Sequence, residues 1–412
     1  MKSLPLTLFI LFLFSAPASA QLGWFEQHDE TDVILYSIDM LDAATIIAVG
    51  VDGYIIRSTD GGNNWATVDA GTTQTLRRVR WYSSSLVVAL GNGGFAMKSS
   101  DKGTTWTMLN TGVTKSLLDV HFFDENNWLV VGQAAQVLTT SDGGATWDDE
   151  GNSTNNYNEI AFHGDFGVIV GNKGTLRVTT NGGEKWRSRS STSDLELTSV
   201  DIADDSTAVL VGANGTIVHT ADTGRTWNAV YASVPISALR LSGVRFLTPQ
   251  RGVIVGYGGI ILETMDGGRN WTPQVSNTQI NIEAVAFADS RVGNSAGWNA
   301  TIMRTTSGGS LAVTQLGTAR PSSLGIDATW PQPLSRSMTE TAHIKFDLPS
   351  TANVQLRVYD LLGREVSSLL SRDMNAGTWD ITWNPSGLSK GVYLYHLTAD
   401  THSQTAKFVV VD

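Results

Sequence analysis

From residue 33 to about residue 305 the chain alternates apolar and polar positions in short runs, each broken by Gly, Asp, Asn, Ser or Thr. A period of two marks strands with one face buried, and the breaks mark turns. Residues Leu76 to Trp81, Leu86 to Leu90, Phe95 to Ser99 and Thr105 to Leu109 give four strands in succession. Equivalents of the first of these begin near Val33, Leu76, Leu117, Asn158, Leu197, Leu241 and Ile282. Four strands in roughly forty residues, repeated, predict an all-β, seven-bladed β-propeller over residues 21–312.

The clearest repeat is the stretch Ser58-Thr59-Asp60-Gly61-Gly62-Asn63-Asn64-Trp65. Its acidic or amide position returns at Asp101, Asp142, Asn181, Asp222 and Asp266, with a decayed copy at Ser307, at intervals of 41, 41, 39, 41, 44 and 41 residues. An indole follows five positions later at Trp65, Trp106, Trp147, Trp186, Trp227 and Trp271. A carboxylate or amide here accepts hydrogen bonds from turn amides, the glycines supply positive φ, and the indole buries a large face against a sheet. These residues are expected to be structural.

The stretch resembles the Asp-box, or BNR repeat, of sialidases, sortilin-type receptors and some glucanases. With its Val-Gly-x-x-Gly lead-in (Val49 to Gly53, Val170 to Gly174, Val211 to Gly215, Val255 to Gly259), it is most similar to the photosystem II assembly factors of the Ycf48 type. The resemblance covers roughly residues 21 to 312. It implies the fold and leaves the activity open, because the box recurs on unrelated functions.

The seventh copy, Ser307-Gly308-Gly309, has no indole, whereas Gly23-Trp24-Phe25-Glu26 reads like the strand that follows the other boxes. The N-terminal segment is therefore expected to complete the last blade, with Trp24 as the closure residue. Ahead of it, Lys2, the apolar run Leu6 to Phe14 and Ala18-Ser19-Ala20 read as an export signal over residues 1–20, cleaved after Ala20.

Past the propeller the period breaks. Gly317, Pro321, Gly325, Pro331 and Pro333 suggest a linker over 313–332, and the strict alternation of Ala342 to Leu348, Val354 to Asp360 and Gly391 to Leu397 predicts a small Ig-like β-sandwich over 333–412. Four pieces of it, Ile344 to Pro349, Val358 to Val366, Trp383-Asn384 with Gly387 to Tyr393, and Lys407 to Val411, resemble the type A C-terminal sorting domain of the type IX secretion system. That resemblance implies handling by the type IX machinery. It also implies passage through the periplasm to the medium or outer-membrane surface of a Gram-negative, Bacteroidota-like bacterium, usually with removal of the domain. An ordinary Ig-like accessory module is the alternative.

Composition narrows the functions. The chain of 412 residues has a formal charge of −11 and only 16% charged residues, which is the wrong footprint for nucleic acid. It contains no cysteine, so stability must come from burial, and no apolar run after the signal is long enough to span a bilayer. The 41 glycines against 10 prolines suit many short strands joined by turns.

Candidate chemistry centres on the propeller axis. Between the paired apolar positions of the first strands lie Asp39, Arg80, His121, Ala161, Asp201, Arg245 and Ala286. Five of these ionise. They form either a polar ring for an anionic or sugar ligand or a set of inter-blade ion pairs. Arg77, Arg78 and Arg80, with Arg187 and Arg189, form either a basic patch or solvated surface arginines. For glycoside hydrolysis Asp39, Asp201 and Glu159 offer carboxylates, whose separation decides the matter. No His-Glu-x-x-His helix and no metal-ligand spacing among the seven histidines is present. The expectation is a non-catalytic module, with no cofactor or metal, that binds an envelope or extracellular protein. The alternative is a carbohydrate-binding propeller or a sialidase- or glucanase-like hydrolase.

Overall fold

The computed structural model describes residues 23–27, 32–151, 155–274, 276, 278–308, 312–330, 332–335, 342–383, 388 and 390–411. The expected signal, residues 1–20, lies outside them. The described chain is all-β: a β-propeller followed by a two-sheet sandwich.

Six antiparallel four-stranded sheets are built from consecutive strands, the first from Leu35–Met40, Ile46–Gly50, Ile55–Ser58 and Ala66–Thr67. A further four-stranded sheet combines Ile282–Phe287, Gly293–Gly297 and Ile302–Thr305 with Phe25–Gln27 from the other end of the chain. The first strands of successive sheets touch in a cycle, with Ile282–Phe287 meeting Leu35–Met40, so these strands line a central axis.

Burial explains the ring. The apolar residues collect in seven separate clusters, each sandwiched between two neighbouring sheets. No sheet has a core of its own, and each is stable only because both faces are covered. The box indoles belong to this packing: Trp106 joins the cluster between the first and second sheets, Trp227 the one between the fourth and fifth, and Trp271 the one between the fifth and sixth. Trp24 occupies the corresponding place between the sixth and seventh, 1% exposed, edge-on to Phe287 at 5.9 Å. Its Nε1 donates to Gln274 Oε1 at 2.8 Å, and Gln27 Nε2 ties the same strand to the first box by donating to the Gly61 carbonyl at 2.9 Å.

The glycine lead-in has a steric cause. A Cβ on Gly50 would stand 2.0 Å from the Ile34 carbonyl oxygen, and Gly53 adopts φ +73° with the Thr72 carbonyl equally close to its would-be Cβ. Only glycine avoids both clashes. In the boxes, Asp142 Oδ1 accepts from the Thr146 amide at 2.8 Å and Oδ2 from the Thr146 hydroxyl at 2.6 Å, while Thr140 Oγ1 accepts from the Gly144 amide at 3.0 Å. Asp60, Asp101, Asp222 and Asp266 make the equivalent contacts, and Asn181 keeps the amide half of them. Hydrogen bonds from the Thr146 side chain and backbone hold the Asp142 carboxyl at about 2, and those from Thr105 hold Asp101 at about 2.

The segment expected as a linker requires correction. Ala312–Gly317 pairs with Gly377–Trp383, and Gly325–Trp330 pairs with Ala342–Leu348, so residues 312–330 supply two strands of the C-terminal sandwich. Gly317, Pro321 and Gly325 end or join strands there; turn residues concentrated between two short strands resemble a linker in a single sequence. The opposing five-stranded sheet holds 334–335, 352–360, 365–374, 391–399 and 402–411, and Phe346, Leu356, Tyr395 and Phe408 fill the space between the sheets. Among the described residues no helix is long and apolar enough to cross a membrane.

Candidate functional site

The first strands present two layers of side chains to the axis, because alternate residues of a strand share a face. The upper layer holds Asp39, Arg80, His121, Asp201 and Arg245. Two residues earlier lie Ser37, Arg78, Asp119 and Ser199, with Glu159 in the same place on the strand of Ala161. This deeper layer organises the site, although on sequence alone Arg78 reads as part of a basic patch or as a solvated surface arginine, and Glu159 as a candidate carboxylate for hydrolysis. The missed signal was the same period of two, applied one step further along each strand.

Glu159 is the hub. Its Oε1 receives Arg245 Nη2 at 2.7 Å, Arg80 Nη2 at 2.9 Å and Arg78 Nη1 at 3.3 Å, and its side chain is 1% exposed. Asp119, fully buried, pairs with Arg78 Nε at 3.1 Å and Arg80 Nε at 3.2 Å. Each carboxylate also receives a backbone amide from the next sheet: Glu159 Oε2 from Val200 at 3.1 Å, Asp119 Oδ2 from Ile160 at 3.1 Å. Burial opposes the Glu159 charge, but Arg245, Arg78 and Arg80 outweigh it and hold the carboxyl at about 2. Although burial opposes its charge too, Arg80 is held above the ordinary arginine value by Asp119 and Glu159.

The upper carboxylates do similar work. Asp39 Oδ2 accepts from the Trp81 amide at 2.8 Å and Asp201 Oδ2 from the Phe246 amide at 2.6 Å, each bridging to the following sheet. Burial pushes both carboxyls up from the usual range. The ring predicted as polar is thus mostly an inter-sheet latch, in which ion pairs and amide bonds replace the water that charged groups would otherwise need. Asp39, Asp201 and Glu159 are all engaged in it. Arg187 lies on an exposed outer strand, and Arg77 lies over the Tyr36 ring at 4.3 Å, so the arginines close in sequence do not form one patch.

Above the latch the axis opens into a cavity of about 350 Å³, lined by Arg80, His121, Asp201 and Arg245 and walled by Trp81, Tyr82, Phe122 and Phe162. His121 stacks on Phe162 at 4.4 Å and meets the edge of Phe123 at 4.8 Å. Burial lowers the His121 imidazole from 6.5 to about 4. A folded pKa below the unfolded one stabilises the neutral form, so this contribution is complete above pH 6.5 and is lost as pH falls towards 4. Asp39 and Asp201, shifted upwards, act with the opposite sign, so the informative comparison is between variant and parent. His121→Phe is expected to recover about 1–3 kcal/mol of the acid loss over that window. Thermal melts across it should run flatter for the variant, and parallel curves would contradict the assignment.

Among the described residues no group of three or more His, Asp or Glu side chains gathers as a metal site.

Two family profiles match the chain. One, described as photosynthesis system II assembly factor YCF48, covers residues 97–231; the other, a secretion system C-terminal sorting domain, covers residues 329–411. A search of curated proteins gave no match. Among solved structures, a YCF48 bound to a D1 peptide aligns with a TM-score of 0.60 at 17% identity, over 71% of this chain and 100% of that one. YCF48 from Cyanidioschyzon merolae aligns at 0.59 and 15% identity, over 69% and 98%. The WD40 propeller of Doa1 aligns at 0.56 and 13% identity, over 69% and 97%. At these identities the likeness concerns the fold alone. The sorting domain marks a type IX secreted, Bacteroidota-type surface or extracellular protein. The chain is a Ycf48-like β-propeller carrying a secretion-system sorting domain at its C-terminal end.

Proposed function

We propose that this protein is an exported, non-catalytic binding module that seats a segment of an envelope or extracellular protein over the axial cavity beside Tyr82 and His121. The observation that carries this reading is the composition of that cavity. Its floor holds Arg80, Asp201 and Arg245, each already engaged by a neighbouring group, and its wall includes the aromatic side chains of Trp81, Tyr82, Phe122 and Phe162; Tyr82 is 40% exposed, and Phe123, which packs on Phe162 outside the lining, is 46% exposed. Exposed aromatics around a concave site are the usual anchors of protein interfaces. The fold likeness to a YCF48 with a bound peptide supports the same reading. Catalysis by Glu159 is disfavoured, since a carboxylate clamped by three guanidinium groups neither gives nor takes a proton near neutral pH, and Asp39 and Asp201 each already accept a backbone amide of the following sheet. Residues 1–20 would direct the chain to the periplasm, and the C-terminal sandwich would hand it to the type IX machinery.

The test is affinity capture from envelope and secreted fractions of the host, with the parent and a Tyr82→Ala/Phe123→Ala variant as bait. One protein is expected to be recovered by the parent and depleted about tenfold by the variant. Equal recovery by both would contradict the assignment.

A further inference from the structure

The opposite mouth of the axis is built differently. It lies at the beginning of the first strands, where Ile282 faces Gly297, whereas the cavity lies towards their ends. Each sheet there makes the same short turn after its second strand. The first turn residue donates its amide back to the residue preceding the first strand: Asn92 to the Thr75 carbonyl at 2.9 Å, Ala213 to Glu196 at 2.9 Å, Trp298 to Asn281 at 3.0 Å. The first five turns place Val51, Asn92, Gln133, Asn172 and Ala213 at this position, so the backbone has no need of a large side chain. The last two place Tyr257 and Trp298 there, on adjacent sheets.

These two rings are held by one acceptor. Trp298 Nε1 donates to Glu283 Oε1 at 2.7 Å and Tyr257 Oη donates to the same oxygen at 3.0 Å, with the ring centroids 5.9 Å apart. Burial, followed by the Glu283 charge, pushes the Tyr257 phenol up to about 12, so it remains a donor at any physiological pH. Despite its fixed orientation, Trp298 is 37% exposed. Around the rings stand Tyr36 with Arg77 over its face, and the Arg240–Glu196 pair, whose Nη2–Oε1 distance is 3.3 Å.

We propose that this mouth binds neutral saccharide: a pyranose ring of an extracellular polysaccharide stacked on Trp298, its hydroxyls meeting the charged groups alongside. The C–H face of a pyranose suits an indole that is rigid and half open, and adjacent hydroxyls suit carboxylate and guanidinium groups, which accept and donate in pairs. Two glutamates, Glu196 and Glu283, balance two arginines, Arg77 and Arg240. A ligand without net charge is therefore favoured over an anionic sugar or a charged peptide end. The site is separate from the cavity assigned to a protein partner and does not depend on that assignment.

The experiment is affinity electrophoresis of the full chain through gels containing a neutral β-glucan, xylan or mannan, with alginate as an anionic comparison. Retardation in at least one neutral gel is expected. Trp298→Ala should weaken it about tenfold, Trp298→Phe should keep most of it, and Tyr82→Ala/Phe123→Ala should leave it unchanged. Tyr257→Phe, which loosens the platform and leaves the indole in place, gives a second reading if the alanine variant fails to match the parent in melting temperature. Absence of retardation in all neutral gels, retardation in alginate alone, or equal retardation of the parent and both platform variants would overturn the proposal.

Discussion

Replacing Glu159 by alanine is expected to destabilise the propeller by about 3–5 kcal/mol, because it leaves three partly buried guanidinium groups facing one another, with Arg78 and Arg80 still paired to Asp119 and Arg245 deprived of the ion pair it makes with Glu159. Glu159→Gln should cost less, since an amide oxygen still accepts from the Val200 amide while the charge is lost. The pH dependence carries the same sign. A carboxyl held at about 2 against its ordinary value of 4.5 contributes stability that is complete above 4.5 and lost as pH falls through about 2. The latch therefore persists under moderately acid conditions and fails near the bottom of the range. Urea unfolding of parent and variant at neutral pH gives the difference directly. A loss below about 1 kcal/mol would mean that the arginines find other partners and that Glu159 is not the hub.

Trp24→Ala is expected to cost about 3–5 kcal/mol, comparable with other large truncations in a packed core. The indole fills the space between the sixth and seventh sheets and anchors the strand Phe25–Gln27, which pairs Phe25 with Arg304 and Gln27 with Ile302. Without that anchor the Ile302–Thr305 strand becomes an open edge, a template for pairing with other chains. Trp65→Ala makes the useful contrast, because Trp65 is only partly buried and closes no edge. Thermal melts with light scattering should show the Trp24 variant both less stable and more prone to aggregate than the Trp65 variant. Equal behaviour would remove any special role for the N-terminal strand.

The box and lead-in were legible in the sequence because their chemistry is local. Asp60 and Asp142 serve amides within four residues, and Gly50 and Gly53 answer clashes with Ile34 and Thr72 inside the same repeat, so the residue types reveal their task directly. The axial latch was half legible. Its upper layer followed from the apolar pairs that flank it, but Glu159 draws on Arg80, 79 positions earlier, and Arg245, 86 positions later, and no local pattern links them. Arg77, Arg78 and Arg80 show the limit plainly: three neighbours in sequence, alternating between the axis and the Tyr36 ring because the strand sends successive side chains to opposite faces. The segment 312–330 was misread for a related reason. Its strands are completed by partners at 342–348 and 377–383, and the turn residues between them dominate the local composition.

Site-specific photo-crosslinking on the exported protein in its host locates the partner surface directly. A photoreactive amino acid at position 82 reports on the axial cavity, and the same group at position 108, where Met108 is 56% exposed on an outer strand, reports on the rim. One discrete crosslinked product is expected from position 82 and none from position 108. Crosslinks of equal yield from both positions, or from position 108 alone, would place the partner surface elsewhere and contradict its assignment to the axial cavity.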